Sequence, residues 1–155
     1  MKVYLAHSIA NTGDFNDSIR ISKLIKELGY DVYAPAENKE INDKSNNPSP
    51  RDIYNGDVYE ILNSDIFVPV LNGSLQDGTI SEIGLVSGVN EERYDSGKTT
   101  IPIIAYTSNA RLLQPQHYHG MASACANHLV LGMVDKWGEF VGGEDDMLEA
   151  LRSRI

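Results

Sequence analysis

Asp57, Asp77 and Glu82 are the residues of this chain whose types and spacing could do chemistry. Two of them lie in Asp77-Gly78-Thr79-Ile80-Ser81-Glu82-Ile83-Gly84, after the apolar run Ile66-Phe67-Val68-Pro69-Val70-Leu71 and before a helical pattern. That order sets two carboxylates between the carboxyl end of a strand and the first turn of a helix, where open α/β sheets bind ligands. A carboxylate held there can attack, stabilise or deprotonate a small ligand. Asp57 is the third: on a helix it shares a face with Ile53 and Ile61, and a charge inside an apolar stripe is costly unless it is paired or faces a cavity. Burial there would raise its pKa and let it donate a proton.

Each has a plainer explanation. Thr79-Ile80-Ser81-Glu82 fits a capping box, with Glu at N3 bonding back to the N-cap backbone. Position argues the other way, because this helix start follows the strand that should lie beside strand one. The helix macrodipole would also favour the ionised Glu82 that a nucleophile needs. Asp57 could be half-exposed at the edge of its stripe. Asp77 sits in a Gly-rich turn where Asp bonds local backbone, and Asp65 reads as a cap or turn residue. His117 and His119 make two ligands without a third, His7 and His128 are ambiguous, and Cys125, the single cysteine, reads as a buried spacer among small residues. The chain has no Ser-His-Asp arrangement, no G-x-x-x-x-G-K-[ST] and no G-x-G-x-x-G, which argues against a nucleoside triphosphatase and a dinucleotide dehydrogenase. No metal and no organic cofactor is expected.

The elements that must position these residues follow from periodicity. Val3 to Ala6 reads as a buried strand and His7 to Gly13 as a polar loop. A helix capped by Asp14 or Asn16 carries the stripe Ile21, Leu24, Ile25 and Leu28, and ends at Gly29. Asp31 to Ala34 is a second strand and 36–50 a loop. Ser49-Pro50 opens a helix to about Asn63, with Pro at N1. Strand three covers Asp65 to Leu71, with a local break expected at Pro69 because proline cannot donate to a ladder. A helix from Thr79 to about Gly88, a loop from Glu91 to Lys98, and strand four from Thr99 to Tyr106 follow. Residues 107–120 are irregular; a helix over Asn127 to Lys136, a short strand near Phe140 and a helix over Glu144 to Ser153 close the chain. Alternating strands and helices predict right-handed βαβ units. The expected fold is α/β, a flavodoxin-like or Rossmann-like three-layer sandwich around a five-stranded, mostly parallel sheet, in one domain over 1–155.

The chain has 155 residues, 41% of them hydrophobic, and a net charge of −9. An acidic domain without a Lys/Arg stripe repels polyanions, so nucleic acid and anionic membranes are not expected partners. No apolar run approaches the roughly 20 residues of a membrane span, and the amino terminus reads directly into a strand. A cytoplasmic protein is expected.

Taken in order, these pieces resemble the nucleoside 2-deoxyribosyltransferase family over nearly the whole chain. The resemblance rests on Val3-Tyr4-Leu5-Ala6, on Asp57 eight residues before Asp65, on Asp77-Gly78-Thr79 with Glu82-Ile83-Gly84, and on Asn127 opening a late helix. It implies a flavodoxin-like fold and exchange of the base of a 2′-deoxyribonucleoside for a free base. Glu82 would attack the anomeric carbon, Asp57 would exchange a proton with the bases, and Tyr4 would orient Glu82. Asp77 would hold the sugar through its 5′-hydroxyl, which favours unphosphorylated nucleosides because a carboxylate repels phosphate. Asn127 would reach the sugar of a neighbouring subunit, which implies a homo-oligomer. Gly78, His7 and Asn38 complete the expected substrate-binding set. The chain departs from the family pattern between strand four and Asn127, a long stretch with Arg111, Gln114 and two histidines, and at Glu37-Asn38-Lys39 in the base-recognition region, which leaves base preference open.

The chemistry agrees with the residues. Cleaving an N-glycosidic bond needs an oxocarbenium-like transition state stabilised and a proton for the leaving base, and two carboxyls with separated pKa values supply both. The expected partners are a deoxyribonucleoside and a free nucleobase. The rivals are a nucleoside or nucleoside 5′-monophosphate N-glycosidase on the same scaffold, and a non-catalytic nucleotide-binding sensor domain. The sensor is disfavoured because anionic nucleotides call for basic residues.

Overall fold

A computed structural model describes residues 1–73, 76–113, 117–118, 121–122 and 126–155, with the side chains of 44, 117, 118, 121 and 122 outside the description. Strand β1 is Lys2–Ala6, helix α1 Thr12–Glu27 and strand β2 Asp31–Tyr33. A 3-10 turn (Pro35–Glu37), a short helix α2 (Lys39–Asn42) and a second 3-10 turn (Lys44–Asn46) lead to α3 (Pro50–Leu62) and β3 (Ile66–Pro69). Then come α4 (Asp77–Asp95), β4 (Ile103–Tyr106), α5 (Ala110–Leu113), a small antiparallel pair β5 (His117–Tyr118) and β6 (Met121–Ala122), α6 (His128–Trp137), β7 (Gly138–Gly142) and α7 (Glu144–Arg152).

The sheet runs β2-β1-β3-β4-β7 and every neighbouring pair is parallel. This is the flavodoxin-like order, as expected, and it reverses direction between β1 and β3, where such folds bind ligands. Alternation along β1 divides the core in two. Val3 and Leu5 pack with Ile21 and Ile25 of α1 and with Met147, Leu148 and Leu151 of α7. Tyr4 and Ala6 face the other way, onto Ile61 of α3, Ile83 and Val86 of α4, and Val130 and Val134 of α6. Helices therefore cover both faces, and Tyr4, one of the expected site residues, belongs to the α3–α4–α6 face.

Several expected boundaries move, each for a local reason. Helix α1 is capped by Asn11, whose side chain accepts from the Asp14 N–H, rather than by Asp14 or Asn16. The 36–50 loop contains α2, capped by Asn38, and the two 3-10 turns. Ser49 caps α3 in a reciprocal box with Asp52, so the expected Ser-Pro helix start stands. Helix α4 begins two residues before Thr79 and runs past Gly88 to Asp95, into the segment expected to be a loop. Its buried face continues through Val86, Ser87 and Asn90, and the glycine that ends it is Gly97, at φ +68°.

Asn90 also explains why β4 is shorter than expected. Its buried amide accepts from the Ile101 N–H at 2.7 Å and donates to the Ile101 carbonyl at 2.8 Å, so the approach to β4 bonds a side chain instead of a strand. At Pro69 the sheet loses one rung only. Phe67 and Leu71 donate toward β4, to the carbonyls of Pro102 and Tyr106, and Val70 donates to Ala6 on β1. The ladder resumes on both sides of the proline, so the expected break is confined to a single missing donor. Asp65 ties the sheet together: its carboxylate accepts from the Lys2 N–H at 2.7 Å, and its own N–H donates to the Lys2 carbonyl.

Among the described residues no helix is long and apolar enough to cross a membrane. Cys125 and His119 lie outside the described residues, as do Gln114 and the side chain of His117.

Candidate active site

The register of the sheet builds an aromatic floor. Tyr4 pairs with Tyr33 on β2 and with Phe67 on β3, so parallel pleating turns all three rings to one face. Their centroids lie 5.3 Å (Tyr4–Tyr33) and 5.7 Å (Tyr4–Phe67) apart. The hydroxyl of Tyr4 donates to Glu82 Oε1 at 2.5 Å. The hydroxyl of Tyr33 donates to Asp57 Oδ1 at 3.3 Å and accepts from Asn38 Nδ2 at 3.0 Å. Two adjacent tyrosines on neighbouring strands thus each hold one carboxyl, Glu82 from α4 and Asp57 from α3.

Both carboxyls open onto one cavity of about 210 Å³ between these helices. Tyr54, Asp57, Val58 and Ile61 line it from α3, and Gly78, Ser81, Glu82 and Leu85 from α4. Val58, Ile61 and Leu85 make much of the wall apolar, which lowers the local dielectric. Burial pushes Glu82 up to about 7, further helped by the Asp57 charge and opposed by the Tyr4 hydrogen bond. Burial also raises Asp57, with the Tyr33 and Tyr4 hydroxyls working against it and Glu60 adding to it. Glu60 itself is paired with Lys2. Tyr33 is pushed up to about 12, chiefly by burial, and Tyr4 is pushed well above the ordinary phenol range by burial and the Glu82 charge, so both stay protonated donors.

Glu82 is therefore not a capping residue. Because α4 starts at Asp77, Glu82 is the sixth residue of the helix, its partner is Tyr4, and no capping box forms around Thr79, which is buried. The same displacement removes the macrodipole argument for an ionised Glu82: the dipole acts within the first turn, and here burial dominates. Asp57, expected in an apolar stripe facing a cavity or half-exposed at its edge, is half-buried and lines the cavity.

The remaining expected site residues are dispersed. Asp77 opens α4 and is exposed, and Gly78 lies at the cavity rim. Asn38 reaches the site through Tyr33. His7 does not line the cavity. Its buried ring has Nε2 3.0 Å from Asp17 Oδ2 on α1 and Nδ1 2.8 Å from the Ser8 carbonyl oxygen. Asn127 caps α6 by accepting from the Leu129 N–H at 2.8 Å and is exposed, outside the cavity walls. Sequence reasoning missed Tyr33 and Tyr54. The signal for Tyr33 was its place at the end of strand two, in register with Tyr4. Tyr54 lies three residues before Asp57, the helical spacing that puts it on the same side.

A larger surface cavity, about 460 Å³, lies at the start of α1 and α7 and is lined by Asp14, Asp17, Arg20 and Glu144 among others. Arg20 forks between Asp17 (2.7 Å) and Glu144 (2.5 Å) and so braces α1 against α7. Among the described residues no group of three His, Cys, Asp or Glu could hold a metal ion.

Comparison with known proteins agrees with this fold. The chain is similar in structure to a conserved protein from Enterococcus faecalis V583 (28% identity, TM-score 0.78, covering 100% of this chain and 99% of that one). It shares its fold with a CMP N-glycosidase, BcmB, from Clostridium botulinum (18%, TM-score 0.61, 97% and 98% covered). It also does so with a 2-deoxyribosyltransferase from Bacillus psychrosaccharolyticus (22%, TM-score 0.51, 71% and 74% covered). No curated protein matches the sequence. The model of the nucleoside 2-deoxyribosyltransferase family matches residues 3–142, from the first strand of the sheet to the last, and the chain belongs to that family.

Proposed function

We propose that the protein transfers 2-deoxyribose between nucleobases by a retaining double displacement. The observation that carries this reading is the pair of carboxyls, Glu82 and Asp57, each held by its own tyrosine and both opening onto one cavity. With Oε1 held by Tyr4, the other oxygen of Glu82 attacks the anomeric carbon. The carbon–nitrogen bond breaks, and its electrons leave with the base, which takes a proton from Asp57. The glycosyl ester on Glu82 is then attacked by a second base that gives its proton to Asp57.

The reaction needs the proton of the pair on Asp57 while Glu82 is ionised. Burial favours a protonated Glu82. Positive charge developing on the sugar ring beside Glu82 reverses that preference during the reaction, and the two carboxyls titrate as one coupled system. No cofactor enters this scheme.

Gly78, at the rim, and the exposed Asp77 that precedes it on α4 are suited to the sugar, and a carboxylate at 77 favours unphosphorylated donors. The cavity is smaller than the ~300–1,000 Å³ usual for small-molecule sites. A second copy supplying Asn127 over the rim would complete it, which makes the active form a homo-oligomer. The role we infer is nucleoside salvage in the cytoplasm.

Hydrolysis is the second reading, favoured by the exposure of Gly78 and Tyr54 on the walls of the cavity that holds the carboxyls. Water reaching the ester would give free sugar. Chromatography of the protein with deoxyinosine and adenine separates the two. Deoxyadenosine with hypoxanthine means transfer, and hypoxanthine with free deoxyribose means hydrolysis. No turnover of deoxyinosine, thymidine or a deoxynucleoside monophosphate would overturn both.

A further inference from the structure

Tyr33 holds Asp57 yet takes no part in the reaction as proposed so far. Its hydroxyl stands between two polar groups, and their chemistry settles the direction of its proton. Asn38 caps α2 with Oδ1, which accepts from the N–H groups of Glu40 at 3.1 Å and Ile41 at 3.3 Å. Two backbone donors on one oxygen fix the orientation of the amide, so the group turned toward Tyr33 is the NH2. That NH2 donates to the Tyr33 oxygen at 3.0 Å. A phenol has one proton, and Asn38 cannot accept it, so the proton points at Asp57 Oδ1, 3.3 Å away.

We propose that Tyr33 is a positioning residue that reserves one oxygen of Asp57 and so places the transferable proton on the other, with Asn38 fixing the direction of the Tyr33 hydroxyl. This rests on the proposed proton exchange between Asp57 and the base. Oδ1 is occupied as an acceptor, so the acidic form of Asp57 carries its proton on Oδ2. When the base leaves, the Oδ2–H bond breaks, an N–H bond forms on the base with the electrons of the broken carbon–nitrogen bond, and Asp57 becomes a carboxylate. Tyr33 already donates to that carboxylate and stabilises the charge as it forms, which is the differential stabilisation that lowers a barrier. In the return step the same bond keeps Oδ1 occupied, so the incoming base delivers its proton to Oδ2.

The surroundings of Asp57 leave this task to Tyr33. Tyr4 faces it from β1, but its single proton goes to Glu82. Glu60 faces it from α3 and opposes its ionisation, while Glu82 on α4 is an acid that the Asp57 charge itself raises. The Tyr4 hydroxyl also favours ionised Asp57 but donates to Glu82, so Tyr33 is the hydroxyl hydrogen-bonded to Asp57. The arrangement also ties the 3-10 turn and α2 to the acid, because the cap of α2 is the residue that orients Tyr33.

The test uses two donors that differ in their need for an acid. Deoxyinosine must lose its base with a proton; 7-methyl-2′-deoxyguanosine carries a cationic base that leaves neutral without one. Tyr33→Phe keeps the ring on Tyr4 and removes only the hydroxyl. It should lower kcat for deoxyinosine about tenfold or more, the scale of a lost hydrogen bond to a developing charge, with KM little changed. The loss on the methylated donor should be much smaller. Asn38→Asp keeps the cap oxygen but replaces the donor with an acceptor that draws the Tyr33 proton away, and it should show the same discrimination between donors. Equal losses on both donors, or none on either, would overturn the proposal. A carbon-13 titration of the Asp57 carboxyl without substrate separates this claim from the functional reading. In Tyr33→Phe its apparent pKa should rise, and an unchanged value overturns the positioning role even if the wild-type protein transfers sugar. A rise in a protein that turns over neither donor would retain the positioning of Asp57 and reject the transfer reaction.

Discussion

Tyr4 donates its only hydroxyl proton to Glu82 Oε1 at 2.5 Å, joining the first strand of the sheet to the sixth residue of α4. The bond spans 78 positions of sequence and ends on a carboxyl whose burial pushes it up to about 7. Tyr4 opposes that push, so the residue that aims Glu82 also lowers the cost of ionising it.

Tyr4→Phe should therefore keep the aromatic packing on Tyr33 and Phe67 while removing this counterweight. The acid limb of the activity profile should move to higher pH, because Glu82 then ionises later. At neutral pH kcat should fall roughly 10- to 100-fold, the range of about 1.5–3 kcal/mol for a hydrogen bond to a charged group. Steady-state rates across pH 5 to 9 would show both changes, and an unmoved acid limb would contradict the coupling.

Glu82→Gln should abolish transfer and leave the protein folded, with a stability difference that depends on pH. Folding raises the Glu82 pKa from 4.5 to about 7, so the folded state holds a proton that the unfolded chain has lost. The wild-type protein accordingly loses stability as pH rises through that window, and the loss is complete above about 7. The variant has no such term. The gap between the two melting temperatures should move in favour of Glu82→Gln between these limits and then stay level, which thermal melts at a series of pH values would reveal.

Asp57→Asn removes a negative charge that raises Glu82. The apparent pKa of Glu82 should fall, shifting the acid limb of residual activity to lower pH. The rate itself should drop by about 10²- to 10⁴-fold, the usual worth of a positioned acid–base group, with sugar binding preserved. A donor whose base leaves without a proton should recover much of the loss; failure to recover any would remove the acid role.

Asn90→Ala tests the scaffold apart from the chemistry. The substitution strands the buried N–H and carbonyl of Ile101, both of which bond the Asn90 amide. Leaving these groups unpaired should cost about 2–4 kcal/mol, visible as a lower midpoint in urea. KM at saturating stability should not change, since Asn90 lies outside the cavity walls.

Tyr106→Phe should move stability in the opposite direction. The Tyr106 hydroxyl is buried and has no hydrogen-bond partner among the described residues. Deleting an unpaired buried hydroxyl at constant ring shape should stabilise the fold by about 1–2 kcal/mol. A loss of stability in the same urea experiment would mean that this hydroxyl is satisfied in solution.

What the sequence determined by itself was the part that local periodicity and residue type control. Alternating apolar runs and helical stripes specify the α/β class and the parallel sheet, because each face must be buried against another element. The Ser49 cap with Pro50 was legible because helix starts are local events. The position of Glu82 and Asp77 after a strand was legible for the same reason. What only the tertiary structure decided was where α4 begins and which groups meet. The capping pattern Thr79 to Glu82 is as good locally as any real cap. It lost because a start at Asp77 lets Thr79, Ile83 and Val86 bury together and brings Glu82 over Tyr4. The extension of α4 past Gly88 likewise depended on Asn90 finding the backbone of Ile101. Tyr33 carries no local mark of function. It acquires one from strand register, which sets it beside Tyr4 and below Asp57, and register is a relation between strands that no single segment encodes.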